Sequence, residues 1–236
     1  MKIKAIFFDL DGTLLPMNQD EFISNYFKML TQKLSEHGYE PTEFSRAMWQ
    51  SITDMITNDG TKTNEEVFWN RMKSYYGEKV IDDKYIFESF YENIFDALRV
   101  CTSRDDGAKR VIDLIKKKGA RLVLATNPVF PRIATHKRIG WAGLNKDDFE
   151  IITTYENSSF CKPNTHYFLD LLERMNLKPE ECIMVGNDTS DDTPARTIGM
   201  KVFLLTPCLI NTKNIDINDY PHGSFDDLCD FINKEL

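Results

Sequence analysis

The chain has 236 residues, of which 42% are hydrophobic and 12% aromatic, enough for one good core and a second, smaller one. Lys and Arg number 29 against 37 Asp and Glu, and the net charge of −8 argues against the basic surface by which proteins bind nucleic acid or acidic membranes. There is no apolar run near the roughly 20 residues of a spanning helix and no cleavage site after the first apolar stretch, so we expect a cytoplasmic protein.

The first predicted strand covers residues 3–8, and a long stretch of helical periodicity follows it. Apolar residues recur at the spacing of amphipathic helices from about residue 16 to residue 98. Within this stretch, a capping box from Thr63 to Glu66 predicts the start of one helix, and Gly77 predicts its end. The stretch holds 15 aromatic residues. We expect most of them to form a small helical core.

Short apolar runs return after this helical stretch, and each is typical of a strand buried on both faces. They cover residues 122–125, 151–154, 182–185 and 202–205. Between them we predict a helix that is capped by Asp106 and ends near Gly119, and another over residues 165–175. Strands that alternate with helices in this way form a parallel sheet covered on both faces. The sequence therefore predicts an α/β core with an all-helical insertion.

Two carboxylates follow the first strand, at the point where the chain turns. Asp9 and Asp11 are one residue apart and are followed by Gly12 and Thr13. Polar groups just beyond the carboxyl end of a parallel strand lie in the crevice where ligands bind. Two anions held about 4 Å apart repel by about 4 kcal/mol at an effective dielectric of 20, so the pair needs a cation or a shared proton. Asp9 and Asp11 therefore indicate a metal site, an acid/base pair, or both.

Polar residues also stand at the ends of later strands. Thr126 and Asn127 follow the second strand, Lys162 precedes the helix after the third, and an acidic cluster from Asp188 to Asp192 follows the fourth. Taken singly, Thr126 and Lys162 suit an ordinary strand end and an ordinary surface position. In a parallel sheet, however, all these groups meet at one edge.

This ordered set resembles the four motifs of the haloacid dehalogenase-like (HAD) superfamily. The first motif of that family, a hydrophobic strand followed by DxDGT, is matched by residues 9–13. Its Ser or Thr is matched by Thr126, its Lys by Lys162, and its acidic motif lies within residues 188–192. The resemblance covers the chain outside the helical insertion, which looks like the family's C1 cap. It implies a Rossmann-like core over residues 1–15 and 101–236 and a cap over residues 16–100.

The resemblance also implies roles for the residues of the first motif. Asp9 would attack phosphorus to form an aspartyl-phosphate, which divides one slow step into two faster ones. Asp11 would protonate the leaving oxygen and later activate the attacking water. Mg²⁺ would be held by the Asp9 carboxylate, the Asp11 backbone carbonyl and Asp188. The expected activity is a Mg²⁺-dependent phosphatase that acts on a small phosphorylated metabolite.

The remaining motif residues would bind the phosphoryl group. Thr126 and the backbone amide of Asn127 would hydrogen-bond its oxygens, and Lys162 would offset their charge. The family's fourth motif usually reads Gly-Asp, whereas Asn187 intervenes here. We therefore assign Asp188 to the metal and expect Asp192, four residues on, to be the supporting acid, although Asp191 is an alternative.

The motif residues also bear on three other functions. Dehalogenases of the family carry a non-acidic residue two positions after the nucleophile, so Asp11 argues against dehalogenation. A phosphomutase of the β-phosphoglucomutase type shares both aspartates and the cap, and it stays open as an alternative. A non-catalytic binding protein on the same scaffold would have lost a motif residue, and none is lost.

Overall fold

The computed structural model describes residues 2–236. In this part of the chain, six parallel strands form one sheet in the order β3-β2-β1-β4-β5-β6. The strands are β1 (Ala5–Phe8), β2 (Arg121–Leu124), β3 (Ile151–Ile152), β4 (Cys182–Gly186), β5 (Lys201–Leu205) and β6 (His222–Gly223). β1 pairs with β2 on one side and with β4 on the other, so the chain order reverses at β1. A crevice forms at such a reversal, outside the carboxyl ends of the strands.

Helices cover both faces of the sheet and also form the insertion. The helices of the described chain are α1 (Gln19–Ser35), α2 (Pro41–Ile56), α3 (Asn64–Tyr76), α4 (Lys79–Asp82), α5 (Lys84–Asn93), α6 (Asp106–Lys118), α7 (Arg132–Trp141), α8 (Thr165–Met175) and α9 (Phe225–Glu235). The predicted α/β class with a parallel, Rossmann-like sheet is confirmed. None of the helices in residues 2–236 combines the length and apolar character needed to cross a membrane.

Alternate residues of β1 belong to different halves of the core. Ile6 and Phe8 pack in the apolar cluster that continues into the insertion, and Ala5 and Phe7 pack in the cluster beneath α8. All four residues are fully buried. A strand buried on both faces has to be apolar along its whole length, which explains why β1 shows no alternation of apolar and polar residues.

We call the helical insertion the cap; it consists of α1 to α5 and a 3₁₀ helix at Phe95–Cys101. The two segments that join it to the core run side by side. Met17 forms an antiparallel bridge with Thr102, and the amide of Ser103 donates to the Pro16 carbonyl at 2.9 Å. The chain therefore enters and leaves the cap at one place, close to the carboxyl end of β1.

Several predicted details are confirmed and others are corrected. The Thr63–Glu66 capping box starts α3, and Gly77 ends it. The residue that caps α6 is Asp105, whose side chain accepts from the amide of Gly107 at 2.7 Å, so the prediction of Asp106 was wrong by one residue. β3 is two residues long, shorter than the predicted run over residues 151–154. The amide of Thr153 still donates to the Leu124 carbonyl of β2, and the amide of Thr154 donates to Asn157 Oδ1 instead of to a strand.

Candidate active site

Asp9 lies at the carboxyl end of β1, and its side chain is 10% exposed. The hydroxyl of Thr13 is 3.1 Å from Asp9 Oδ2 and 2.8 Å from Asn187 Oδ1, and Asn187 Nδ2 donates to the Cys208 carbonyl at 2.7 Å. Gly12, at a φ of +83°, lets the chain turn here, and a Cβ at this position would lie 2.3 Å from Asn187 Nδ2. Asn187, the departure from the family's usual motif, therefore helps to orient Asp9 through Thr13.

Lys162 lies between Asp9 and a second carboxylate, that of Asp192. Its Nζ is 2.9 Å from Asp9 Oδ1 and 2.7 Å from Asp192 Oδ1, and its side chain is 1% exposed. Asn127 fixes the backbone before the cis Lys162–Pro163 bond, because Asn127 Oδ1 accepts from the Lys162 amide at 3.2 Å. Of the two acids considered at the sequence level, the one in contact with Lys162 is Asp192.

Burial and charge determine the protonation of this trio. Burial raises the pKa of Asp9 to about 7, although the Lys162 ammonium opposes the rise. Burial would lower the pKa of Lys162, but Asp192 and Asp9 more than offset that effect and raise it well above its ordinary value. Lys162 is therefore charged at neutral pH. When Asp9 is ionised, two buried carboxylates share the single positive charge of Lys162, which leaves an excess of negative charge.

The acidic loop after β4 holds Asp192 against the end of the sheet. Asp192 Oδ2 accepts from the amide of Asp188 at 3.0 Å, and a Cβ on Gly186 would lie only 1.9 Å from that oxygen. Asp188 Oδ1 accepts from the amides of Ser190 and Asp191, at 2.7 and 3.3 Å, which tightens the turn. Gly186 thus allows the close approach that places Asp192 beside Lys162.

Thr126 and Asn127 stand at the end of β2, as the sequence predicted for neighbours in a parallel sheet. Thr126 is 2% exposed, and its carbonyl accepts from the hydroxyls of Thr153 and Tyr167 at 2.6 and 2.9 Å. Asn127 Nδ2 donates to Asp191 Oδ2 at 3.2 Å. Asp191 therefore contacts Asn127, whereas Asp192 contacts Lys162.

Arg138 is a residue of the site that sequence reasoning missed. It is fully buried on α7, its guanidinium contacts Asp11 Oδ2, and the same group lies 4.4 Å from the centre of the Phe130 ring. Asp11 Oδ1 is buried and lacks a hydrogen-bond partner among the described residues. Arg138 thus holds one oxygen of Asp11, whereas no donor in residues 2–236 holds the other. Arg138 lies four residues after the buried Ala134, a helical spacing that offered a weak signal for a buried arginine.

These groups open onto a cleft of about 250 Å³ between the core and the cap. In the described chain its lining includes five carboxylates but a single lysine: Asp9, Asp11, Asp188, Asp191, Asp192 and Lys162. The cleft also includes both residues at the end of β2, Thr126 and Asn127. The structure therefore brings every sequence-predicted site residue to one cavity.

The donor set of the cleft suits a hard divalent cation. Mg²⁺ is usually bound by one or two carboxylates, with water and phosphate oxygens completing its shell. In residues 2–236 no three His, Cys, Asp or Glu side chains converge as a complete metal cage. Asp9 and Asp188 with the Asp11 carbonyl make a partial set of that kind, and the excess negative charge and the orphaned Asp11 Oδ1 both favour a cation. The carbonyl of Asp11 already accepts from Gln19 Nε2 at 2.9 Å, which links this position to α1 of the cap.

Comparison with known proteins identifies the family. The family model described as haloacid dehalogenase-like hydrolase matches residues 3–199. This chain belongs to the haloacid dehalogenase-like hydrolases. The resemblance carried by the four motifs is thereby confirmed, and the family includes relatives named as phosphatases.

Individual relatives show how far the likeness extends. A glyceraldehyde 3-phosphate phosphatase from Pyrococcus furiosus is 29% identical over 206 residues, covering 85% of this chain and 79% of its own. The structure of a 2-haloacid dehalogenase from Pseudomonas syringae pv. Tomato superposes with a TM-score of 0.65 at 19% identity, covering 99% of this chain and all of its own. A structure of YfnB from Bacillus subtilis bound to magnesium superposes with a TM-score of 0.57 at 18% identity, covering 99% of this chain and all of its own. The two structures support the fold alone.

Proposed function

We propose that this protein is a Mg²⁺-dependent phosphatase that hydrolyses a small phosphomonoester through an aspartyl-phosphate on Asp9. The observation that carries the proposal is the position of Asp9 in the cleft. Its Oδ1 lies 2.9 Å from Lys162 Nζ, and Asp11 lines the same cavity. A nucleophile with an acid/base group beside it is the arrangement that two-step phosphoryl transfer requires.

Asp9 supplies the nucleophilic oxygen. Lys162 and Thr13 hold its two oxygens, so the carboxylate has a fixed orientation before substrate binds. It attacks phosphorus in line with the ester oxygen, the phosphorus–ester bond breaks, and the phosphoryl group is transferred to Asp9. This fixed geometry lowers the entropic part of the barrier.

Asp11 moves the proton in both steps. In the first it donates a proton to the leaving ester oxygen, and in the second it accepts one from the water that attacks the aspartyl-phosphate. Arg138 contacts Oδ2 of this carboxylate, and Oδ1 has no hydrogen-bond partner among the described residues. The dehalogenase reaction needs no such proton transfer, and the presence of Asp11 therefore favours phosphate chemistry over dehalogenation.

Thr126, the Asn127 amide and Lys162 bind the transferring phosphoryl group. Thr126 and Asn127 follow β2, which pairs with β1, and both residues line the same cleft as Asp9. Lys162 offsets the charge that spreads over the phosphoryl oxygens in the transition state. Asp192 keeps Lys162 in place, and it is the supporting acid of the fourth motif.

Mg²⁺, when bound, would be held by Asp9, Asp188 and the Asp11 carbonyl, and it would neutralise the negative charge that otherwise repels a phosphate dianion. The proposal draws support from the excess of carboxylates in the cleft. The magnesium-bound structure of YfnB is a precedent in a protein of the same fold.

Phosphate release from a panel of phosphomonoesters tests the proposal. The panel contains sugar phosphates, nucleoside monophosphates, phosphoglycolate and a generic aryl phosphate, each assayed with Mg²⁺ and with EDTA. We expect release that requires Mg²⁺ and is lost in Asp9→Asn. A sugar phosphate that changes its position of phosphorylation without releasing phosphate would instead identify a mutase.

A further inference from the structure

A second and larger cavity lies between the cap and the core. Its volume is about 810 Å³, which is within the range of sites for small organic molecules. Nine of the 24 described residues that line it are aromatic, and among them are Phe27, Trp49 and Phe68 from the cap and Phe130 and Tyr155 from the core. A cavity of this size and composition is suited to an extended aromatic group.

The aromatic cavity adjoins the catalytic cleft. Five residues line both cavities: Ile23, Trp49, Ile52, Val129 and Phe130. All five are apolar, three from the cap and two from the loop after β2. We call these five residues the passage. An ester substituent that extends past them from a phosphate at Asp9 would enter the larger cavity.

Trp49 lines this passage from the cap side. The residue is 50% exposed, although large aromatic residues are usually well buried. Its ring stacks on Phe27 with centroids 4.5 Å apart and planes at 15°. Phe130 lines the passage from the core side, and its ring is 5.2 Å from that of Tyr26. The passage thus offers an aromatic wall from the cap and another from the core.

The charges around the aromatic cavity balance, in contrast to those of the catalytic cleft. Four acidic and four basic residues of the described chain line it: Glu65, Glu88, Glu92 and Glu156 against Lys84, Arg132, Lys137 and Lys146. Burial lowers the pKa of His136, which also lines it, so that side chain adds no charge at neutral pH. The cavity therefore favours neither an anionic nor a cationic group, whereas a phosphorylated sugar would leave its apolar walls uncovered.

From these observations we infer the substrate class, and the inference rests on the phosphatase function proposed above. The substrate is a phosphomonoester whose alcohol carries a large, uncharged aromatic group of at least two rings, and this group fills the cavity between Trp49 and Phe130. The phosphate occupies the cleft, and the aromatic group supplies binding energy that a three-carbon sugar phosphate cannot supply.

A series of primary alkyl phosphates tests this inference without changing the leaving-group chemistry. Ethyl, benzyl and naphthalen-2-ylmethyl phosphate all release a primary alcohol, so differences in kcat/KM report binding of the substituent. We expect kcat/KM to rise from ethyl to naphthylmethyl phosphate by roughly tenfold or more, mainly through KM. Equal kcat/KM across a series that is hydrolysed would overturn the inference and leave the phosphatase function standing.

Two cap variants locate the effect. Trp49→Ala should reduce the preference for naphthylmethyl over ethyl phosphate by roughly tenfold, and Trp49→Leu should retain part of it. The matched control is Tyr85→Ala, because Tyr85 is a cap aromatic that is 58% exposed and lines neither cavity. The preference should be unchanged in that control. A preference that survives in Trp49→Ala would place the aromatic group elsewhere and overturn the inference.

Binding of non-hydrolysable analogues separates the two proposals. If no ester is hydrolysed, the proposed function fails, and calorimetry with naphthalen-2-ylmethylphosphonate and ethylphosphonate decides on the cavity. Tighter binding of the naphthyl compound that is lost in Trp49→Ala supports an aromatic ligand site. Equal binding of the two compounds, or no binding of either, contradicts it.

Discussion

Replacing Lys162 by Met removes the positive charge that lies between two buried carboxylates. The side chain keeps nearly its length, but Asp9 and Asp192 lose an ammonium that lies 2.9 and 2.7 Å from them. Removing one partner of a buried ion pair costs about 3–5 kcal/mol, because the other charge stays buried without compensation. That is a large share of the roughly 5–15 kcal/mol that stabilises an ordinary domain. We expect a loss of this size in the free energy of unfolding.

Urea unfolding of the metal-free protein at pH 8 measures this loss. The matched control is Lys109→Met, which removes an exposed partner of Asp113 at 2.6 Å and should cost below about 1 kcal/mol. At pH 5 the Lys162→Met loss should shrink, because a protonated Asp9 no longer carries the buried charge. Equal destabilisation by the two substitutions at pH 8 would refute the reasoning.

Three further predictions concern the same cleft. Burial raises the pKa of Asp9 to about 7, so the metal-free folded state keeps a proton that the unfolded state releases near pH 4. The free energy of unfolding should therefore fall as pH rises from 4 to 7, by at most about 4 kcal/mol. Urea midpoints across this range measure the fall, which should be absent in Asp9→Asn. Arg138→Lys should lower kcat roughly tenfold or more with little change in KM, because the guanidinium orients Asp11. Steady-state kinetics with a phosphomonoester that the protein hydrolyses test this, and an unchanged kcat would contradict it. Gly186→Ala should destabilise the protein by about 1–3 kcal/mol, since its Cβ would overlap Asp192; unfolding at the wild-type midpoint would contradict that.

The sequence predicted the sheet because its strands are buried on both faces and are therefore continuous apolar runs. β6 escaped prediction because His222–Gly223 is two residues long and polar, and it becomes a strand only by pairing with the end of β5. α9 carries a local signal in the sequence, since Ser224 and Asp227 form a capping box before an amphipathic run. Short edge strands depend on tertiary pairing, whereas a capped helix is a local feature.

The candidate site was predictable where its residues follow strands. The carboxyl ends of parallel strands converge, so Asp9, Thr126 and Asp188 could be placed together without knowledge of the packing. Arg138 could not be placed in this way, because its contact with Asp11 depends on how α7 packs against the core. The aromatic cavity likewise depends on how the cap lies over the core, which helical periodicity does not specify.

Trapping of the covalent intermediate tests the central claim most directly. The protein is mixed with Mg²⁺ and a phosphomonoester that it hydrolyses, quenched in acid within the first turnovers, and digested for mass spectrometry. The account predicts a phosphoryl group on the peptide that contains Asp9, absent from Asp9→Asn. Phosphate release by the native protein with no phosphoryl group on that peptide, under conditions in which a known aspartyl-phosphate enzyme is trapped, would contradict it.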